Sequence, residues 1–111
     1  MKDALAFQNL DVYVVAKDLA VLVHRAKIAD AELRDQAGRA SKSAFLQLSE
    51  GLPNEGVAMR RKYFVCARNS VCEVAAAIDL ALAIEAMDPA LAREGIALCV
   101  RFLAMVTRLL R

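Results

Sequence analysis

Five polar side chains recur at helical spacing between residues 36 and 50 and are the first candidates for chemistry. They are separated by three, four, four and three residues, which places all of them on one face of a helix, and they comprise Gln36, Arg39, Ser43, Gln47 and Glu50. The set mixes amide, guanidinium, hydroxyl and carboxylate groups, which can satisfy one another. A solvated helix face is the simplest alternative interpretation of such a stripe.

A pair of carboxylates is the arrangement here that suits acid–base chemistry. Glu73, in the third predicted helix, could join Glu50, but Arg39 between them favours the charged form of both carboxylates, as in a structural ion pair. We therefore predict a buried or interfacial polar network that fixes helix register or subunit pairing, comprising Gln36, Arg39, Ser43, Glu50, Ser70 and Glu73. Loss of Arg39 from a buried network is expected to cost about 3–5 kcal/mol.

The other reactive side chains do not follow a pattern typical of an enzyme. His24 has no metal-ligand partner three or four residues further on, and Cys66 and Cys72 lack a histidine nearby in sequence. No glycine-rich phosphate loop or dinucleotide fingerprint is present. We expect a non-enzymatic protein with no catalytic residue, metal ion or cofactor. The odd cysteine count, three, without a C-x-x-C pair, favours free thiols in a reducing compartment.

Start and stop signals divide the chain into four helices, which must position these residues. Asp30 and Asp88 are typical N-cap residues, and Pro89 follows the second of them at the first helical position. Gly51 is predicted as the C′ residue of the second helix, with Pro53 behind it. The expected helices span about residues 9–28, 31–50, 57–87 and 89–110.

The fold class predicted from these elements is all-α. Few glycines and prolines favour helices, and short connections favour neighbours that run in opposite directions. We predict an antiparallel up-down-up-down four-helix bundle, formed by residues 1–111 as a single domain. No segment resembles a signal peptide, and the longest apolar tract is interrupted by Asp79 and Glu85, so we expect a cytoplasmic protein without membrane association.

Self-association is predicted from the apolar content of 59% and from the fourth helix. One apolar file on this helix has the spacing of a bundle seam and comprises Ala92, Ile96, Cys99, Leu103, Val106 and Leu110. A second file beside it comprises Leu91, Leu98, Phe102, Met105 and Leu109. We expect the first file to face the core and the second to face a neighbouring subunit.

The formal net charge is only +2, but the basic residues are concentrated in residues 34–68 and 93–111. Repeated on the subunits of an oligomer, such side chains would suffice for binding to phosphates without sequence readout. The candidates for nucleic-acid binding are Lys42, Arg60, Arg61, Lys62, Arg68, Arg101 and Arg108. Solvated surface charge is the competing interpretation.

Three stretches of the sequence resemble a known family. "FQNLDVY" resembles its start, "QAGRASKSAFLQLSEG" resembles its motif Q-x-x-R-A-x-x-S-x-x-x-N-x-x-E-G, and Ala67, Ser70 and Glu73 match its A-x-G-S-x-x-E. Gln47 replaces the motif's asparagine, and Asn69 replaces its glycine. The family comprises four-helix-bundle proteins encoded in intervening sequences of bacterial 23S ribosomal RNA genes and the accessory variability determinant proteins of diversity-generating retroelements.

The resemblance implies an antiparallel bundle that assembles as a homopentamer. For the retroelement members it also implies binding to RNA or DNA and contact with a protein partner such as a reverse transcriptase. The resulting hypothesis is a non-enzymatic oligomer that binds nucleic acid or a ribonucleoprotein through basic surfaces. The alternative is a protein-interaction or scaffolding module with no nucleic-acid role.

Overall fold

The computed structural model describes residues 5–111, which form four α-helices and no strand. A short 3₁₀-helix, Ala6–Asn9, precedes α1 (Asp11–Ala26), α2 (Ala31–Gly51), α3 (Val57–Ala83) and α4 (Pro89–Leu109). The prediction of an all-α chain with four helices is confirmed. In the described part of the chain, none of these helices has both the length and the apolar character that crossing a membrane requires.

Each helix packs against two others. The helices α1 and α2, α2 and α3, and α3 and α4 are in contact, and α4 closes the arrangement by packing on α1. The α1–α4 edge of the bundle therefore lies opposite the α2–α3 edge. The core runs along the middle of the four helices, and its largest fully buried side chains include Leu19, Leu48, Phe64, Ile78 and Phe102.

Two helices begin where the sequence predicts. The Asp30 carboxylate accepts a hydrogen bond from the backbone N–H of Leu33 at 2.9 Å, and the Asp88 carboxylate accepts one from Leu91 at 3.1 Å. Each bond satisfies one of the N–H groups that a helix start leaves without a partner. Both predicted N-caps are confirmed.

The end of α3 lies four residues earlier than predicted. The helix stops at Ala83, and Glu85 adopts a left-handed backbone conformation with φ of 61°. The carbonyl of Ala86 then accepts a hydrogen bond from the backbone N–H of Ala29 at 2.8 Å. This contact ties the α3–α4 connection to the α1–α2 connection. The helix end itself is closed locally, because the N–H groups of Ala86 and Glu85 donate to the carbonyls of Ala81 and Leu82 around the left-handed Glu85.

Gly51 has a different role from the predicted one. It is the last residue of α2 rather than the residue beyond it, and none of the glycines among the described residues has a positive φ. A Cβ atom at position 51 would lie 2.8 Å from the ring of Phe64 and 3.0 Å from Cβ of Tyr63. Glycine is therefore required by the close approach of α2 to α3 and not by backbone conformation.

The two apolar files of α4 do not divide between core and subunit contact as predicted. Phe102 and Leu98, in the second file, are buried within one chain, and Leu109 alone in that file is exposed. The core is centred between the files, because Cys99 and Val106 of the first file are buried as well. The prediction that the whole second file faces another subunit is therefore wrong.

Candidate functional site

The polar contact that joins α2 to α3 is centred on Gln47. Its side-chain amide lies 2.9 Å from Oγ of Ser70, which is buried. With the amide oriented to satisfy both of its ends, Nε2 donates to Ser70 Oγ and to the carbonyls of Cys66 and Ser43 at 3.1 and 3.2 Å. One side chain thus contacts both helices and provides the hydrogen-bond partner of a buried hydroxyl.

A second polar contact crosses the same seam nearer to solvent. Gln36 Nε2 donates to a carboxylate oxygen of Glu73 at 3.3 Å, in an exposed position. The predicted network members Gln36, Ser70 and Glu73 therefore lie along the α2–α3 seam. The predicted network does not include Gln47. Its helical spacing from Ser43 and Glu50 was the signal that could have included it.

Arg39 does not lie at the centre of a buried network within one chain. Its side chain is exposed, as are those of Ser43 and Glu50, and no hydrogen bond within residues 5–111 joins it to Glu50 or Glu73. On a helix with 3.6 residues per turn, Arg39 lies farther from α3 than Gln36 and Gln47 do, toward the outer surface of the bundle. This corrects the expected position of Arg39, while a network between subunits stays a prediction.

Two of the candidate nucleic-acid-binding arginines bind helix ends instead. Arg60 Nη1 donates to the carbonyls of Leu52 at 2.6 Å and Gly51 at 3.4 Å, and its guanidinium lies 4.9 Å from the ring centroid of Phe64. Arg61 Nη1 donates to the carbonyl of Leu110 at 2.7 Å. These bonds satisfy carbonyls at the C-terminal ends of α2 and α4.

The capping bonds also explain why basic residues stand near the start of α3. The macrodipole of a helix disfavours cations at its own N-terminus. Arg60 and Arg61 are nevertheless well placed, because α2 and α4 end beside them and present carbonyl oxygens. This structural role was not predicted from the sequence.

The remaining candidate cations lie on different edges of the bundle. Lys42, Lys62, Arg101 and Arg108 are exposed, and Arg68 is half-buried. Lys42 lines a groove between α1 and α2, whereas Arg101 and Arg108 line two grooves between α1 and α4. The structure thus brings the two α4 arginines to one edge and separates them from Lys42.

The thiols differ sharply in their surroundings. Burial, and secondly the nearby Cys72 thiol, raise the pKa of Cys99 to about 12. Cys72 is exposed and Cys66 is half-buried. Among the described residues, no group of three or more histidine, cysteine or acidic side chains is placed to hold a metal ion.

A model of the family described as 23S rRNA-intervening sequence protein matches residues 8–108. The chain belongs to this family. The membership predicted from the motif between Gln36 and Gly51 is thereby confirmed. A search of the curated proteins found no match.

The matched residues include the polar side chains of the α2–α3 seam and the candidate cations. The amides and hydroxyls of the α2–α3 seam and the capping arginines of α3 hold the bundle together. The exposed cations on the α1–α2 and α1–α4 edges are available for contacts with other molecules.

Proposed function

We propose that the protein is a non-enzymatic module that assembles with copies of itself into a closed ring and that the ring binds nucleic acid or a ribonucleoprotein. The observation that carries this proposal is the presence of two different exposed apolar faces on opposite edges of the bundle. The free thiols support a cytoplasmic location for the assembly.

The first surface, called the α1–α4 face, lies on the outer side of these two helices. Leu10, the N-cap of α1, and Val14 and Val21 within it are 46%, 39% and 40% exposed and recur at helical spacing. On α4, Leu109 is exposed beside them and Met105 is half-buried. An aligned apolar surface of this kind marks a contact site with another molecule.

The second surface, called the α2–α3 face, lies on the opposite edge. Leu80 and Ile84 of α3 are each 50% exposed. Leu33 and Leu80 line a shallow groove here together with the hydrogen-bonded pair Gln36 and Glu73.

We propose that the α1–α4 face of one copy packs on the α2–α3 face of the next copy. Two different faces on opposite edges favour a head-to-tail contact, which forms a ring when its rotation closes. The family resemblance sets the proposed number of subunits at five.

We infer that the four helices run alternately up and down. The bond from Arg61 to Leu110 supports this, since it joins the start of α3 to the end of α4. The bond from Ala29 to Ala86 supports it for the other end of the bundle.

Light scattering of the purified protein tests the assembly. The expected mass is five times that of the 12.1 kDa subunit. A monomer at micromolar concentration would contradict the proposal.

Nucleic-acid association is supported by exposed cations outside the two faces, among them Lys42 on the α1–α2 edge. A ring repeats each such cation on every subunit, so modest charge per subunit gives many phosphate contacts. Gel shifts with generic RNA and DNA across a salt series test this part. Binding that weakens steeply with salt is expected, and no shift at low salt would contradict it.

A scaffolding module with no nucleic-acid role is the second candidate. It is favoured by the capping bonds of Arg60 and Arg61, which give two of the predicted phosphate-binding side chains a structural role. The same gel shifts decide between the two candidates.

A further inference from the structure

The groove between α1 and α2 has a volume of about 460 Å³ and is lined mainly by cations among its charged side chains. His24 reaches it from α1, and three permanent cations reach it from α2, namely Arg34, Arg39 and Lys42. Asp35 is the single carboxylate in the lining. The cations outnumber the acid, so an anion is the ligand that the charge of this groove favours.

The floor of the groove is made of small side chains. Gly38 lies there, and a Cβ atom at this position would have no neighbour within 4 Å. Ser41 beside it is buried, and its hydroxyl donates to the carbonyl of Gly38 at 3.1 Å. The floor is therefore open and its buried hydroxyl is already satisfied, which leaves the charged walls to bind a ligand.

The cations of this groove can reach a ligand. Arg39 and Lys42 are exposed, and no hydrogen bond within residues 5–111 engages either side chain. Arg34 donates from Nη1 to the carbonyl of Ile28 at 2.9 Å, which holds the guanidinium in place with further N–H donors to offer. Arg60 and Arg61 line a separate groove, where Arg60 binds the carbonyl of Leu52 and lies over the ring of Phe64, and Arg61 binds the carbonyl of Leu110.

We propose that this α1–α2 groove binds the phosphate backbone of an RNA or DNA strand, without reading its bases. From Arg34 to Lys42 the wall extends about 12 Å at 1.5 Å per residue, a length that neighbouring phosphates of one strand can follow. The lining contains no Phe, Tyr or Trp side chain for base stacking. This proposal rests on the nucleic-acid part of the proposed function and adds the surface that binds the strand.

The groove also suits the proposed ring. The α1–α2 edge lies between the α1–α4 face and the α2–α3 face, so contacts through these two faces leave it uncovered, and Arg39 then faces the strand rather than a neighbouring subunit. Each subunit then presents one groove on the same wall of the ring. A strand that follows this wall meets one cationic groove per subunit, and the contacts add along the strand.

The test compares two double variants of the full chain that lose the same charge. Arg39→Gln with Lys42→Gln removes cations from the groove, and Arg93→Gln with Arg111→Gln removes exposed cations elsewhere. The probe is a fluorescently labelled single-stranded RNA of mixed sequence, with a DNA strand of the same sequence as a second probe. Affinity is measured across a salt series, after circular dichroism and light scattering show equal folding and mass.

The groove variant is expected to bind about tenfold more weakly at low salt, with a salt slope smaller by about one per lost phosphate contact on each subunit that the strand meets. The control variant is expected to bind like the unmodified protein. Equal binding by both variants, or a greater loss in the control, would overturn the groove and leave nucleic-acid binding in place. No binding by the unmodified protein at low salt would contradict the nucleic-acid function itself.

A third variant tests the groove by a gain rather than a loss. Asp35→Asn removes the one carboxylate in the lining and is expected to tighten RNA binding by about twofold. Asp79→Asn changes the net charge equally at an exposed position on α3 and serves as the matched control. Equal affinity of these two variants would also contradict the groove assignment.

Discussion

Gln47 carries the main polar contact between α2 and α3, and its removal has a predictable cost. Gln47→Leu leaves the buried Ser70 hydroxyl without its partner, so the free energy of unfolding is expected to fall by about 1–3 kcal/mol. Gln36→Leu, which breaks only an exposed bond, is expected to change it by less than about 0.5 kcal/mol. Urea denaturation of both variants checks this, and equal losses would contradict the role of Gln47.

Replacement of glycine by alanine is expected to have opposite effects at two positions of α2. Gly51→Ala places a methyl group 2.8 Å from the Phe64 ring and is expected to destabilise the bundle by about 1–3 kcal/mol. Gly38→Ala meets nothing within 4 Å and is expected to stabilise it by about 0.5–1 kcal/mol. Thermal or urea denaturation measures both, and stabilisation by Gly51→Ala would refute the close-approach explanation.

Cys99 is expected to resist alkylation near neutral pH while Cys72 reacts. The thiolate is the reactive form, and burial raises the pKa of Cys99 to about 12. Mass spectrometry after brief alkylation, with and without urea, measures the difference. Modification of Cys99 in the folded protein as fast as Cys72 would contradict its burial.

The same pKa shift has a consequence for stability. The folded protein retains a proton on Cys99 that the unfolded chain releases near pH 9.0, so its unfolding free energy falls as pH rises from 9.0 to about 12. Cys99→Ala is expected to flatten this part of the pH profile.

Local chemistry explains which side chains could be assigned from the sequence. Asp30 and Asp88 were predicted correctly, because an N-cap bonds to a backbone N–H only three residues away. Arg39 was misplaced because its surroundings depend on how α2 is rotated against α3, which spacing on one helix does not determine. The spacing correctly predicted which polar residues share one face of α2, but not which of them contact α3.

Arg60 is expected to stabilise the end of α2 from its position on α3. Arg60→Met keeps the packing on Phe64 but removes the bonds to the carbonyls of Leu52 and Gly51, so stability should fall by about 1–2 kcal/mol. Lys62→Met, at an exposed position two residues further on, is the control and should change stability by less than about 0.5 kcal/mol. Hydrogen exchange at the α2 C-terminus should show where the variant frays.

The helices themselves were largely predictable, and their ends only in part. Apolar periodicity and caps predicted four helices, and all four are present. The end of α3 at Ala83 was not predicted, because the left-handed position of its C-terminal motif is taken by Glu85 and not by the glycine or asparagine that signals such an end in a sequence. Gly51 was likewise predicted for its backbone conformation, whereas the close approach of Phe64 on α3 is what requires a glycine there.

The assembled molecule was harder to predict from periodicity than its helices. The two apolar files of α4 suggested a core side and a subunit side, but the core takes Leu98 and Phe102 from the second file. The apolar side chains left for a second copy come mainly from other helices, with Val21 on α1 and Leu80 on α3 as examples. Which residues stay exposed depends on how four helices share one core, and a single helix pattern does not contain that information.

Light scattering on two face variants, alone and mixed, tests the head-to-tail ring most directly. Val21→Glu disables the α1–α4 face and Leu80→Glu disables the α2–α3 face, both at exposed positions that should not disturb folding. Each variant alone is expected to be a monomer. The mixture is expected to form a dimer and no larger species, because only one intact contact is possible between the two variants. Full-size assembly by either variant alone, or a mixture that stays monomeric, would contradict the ring.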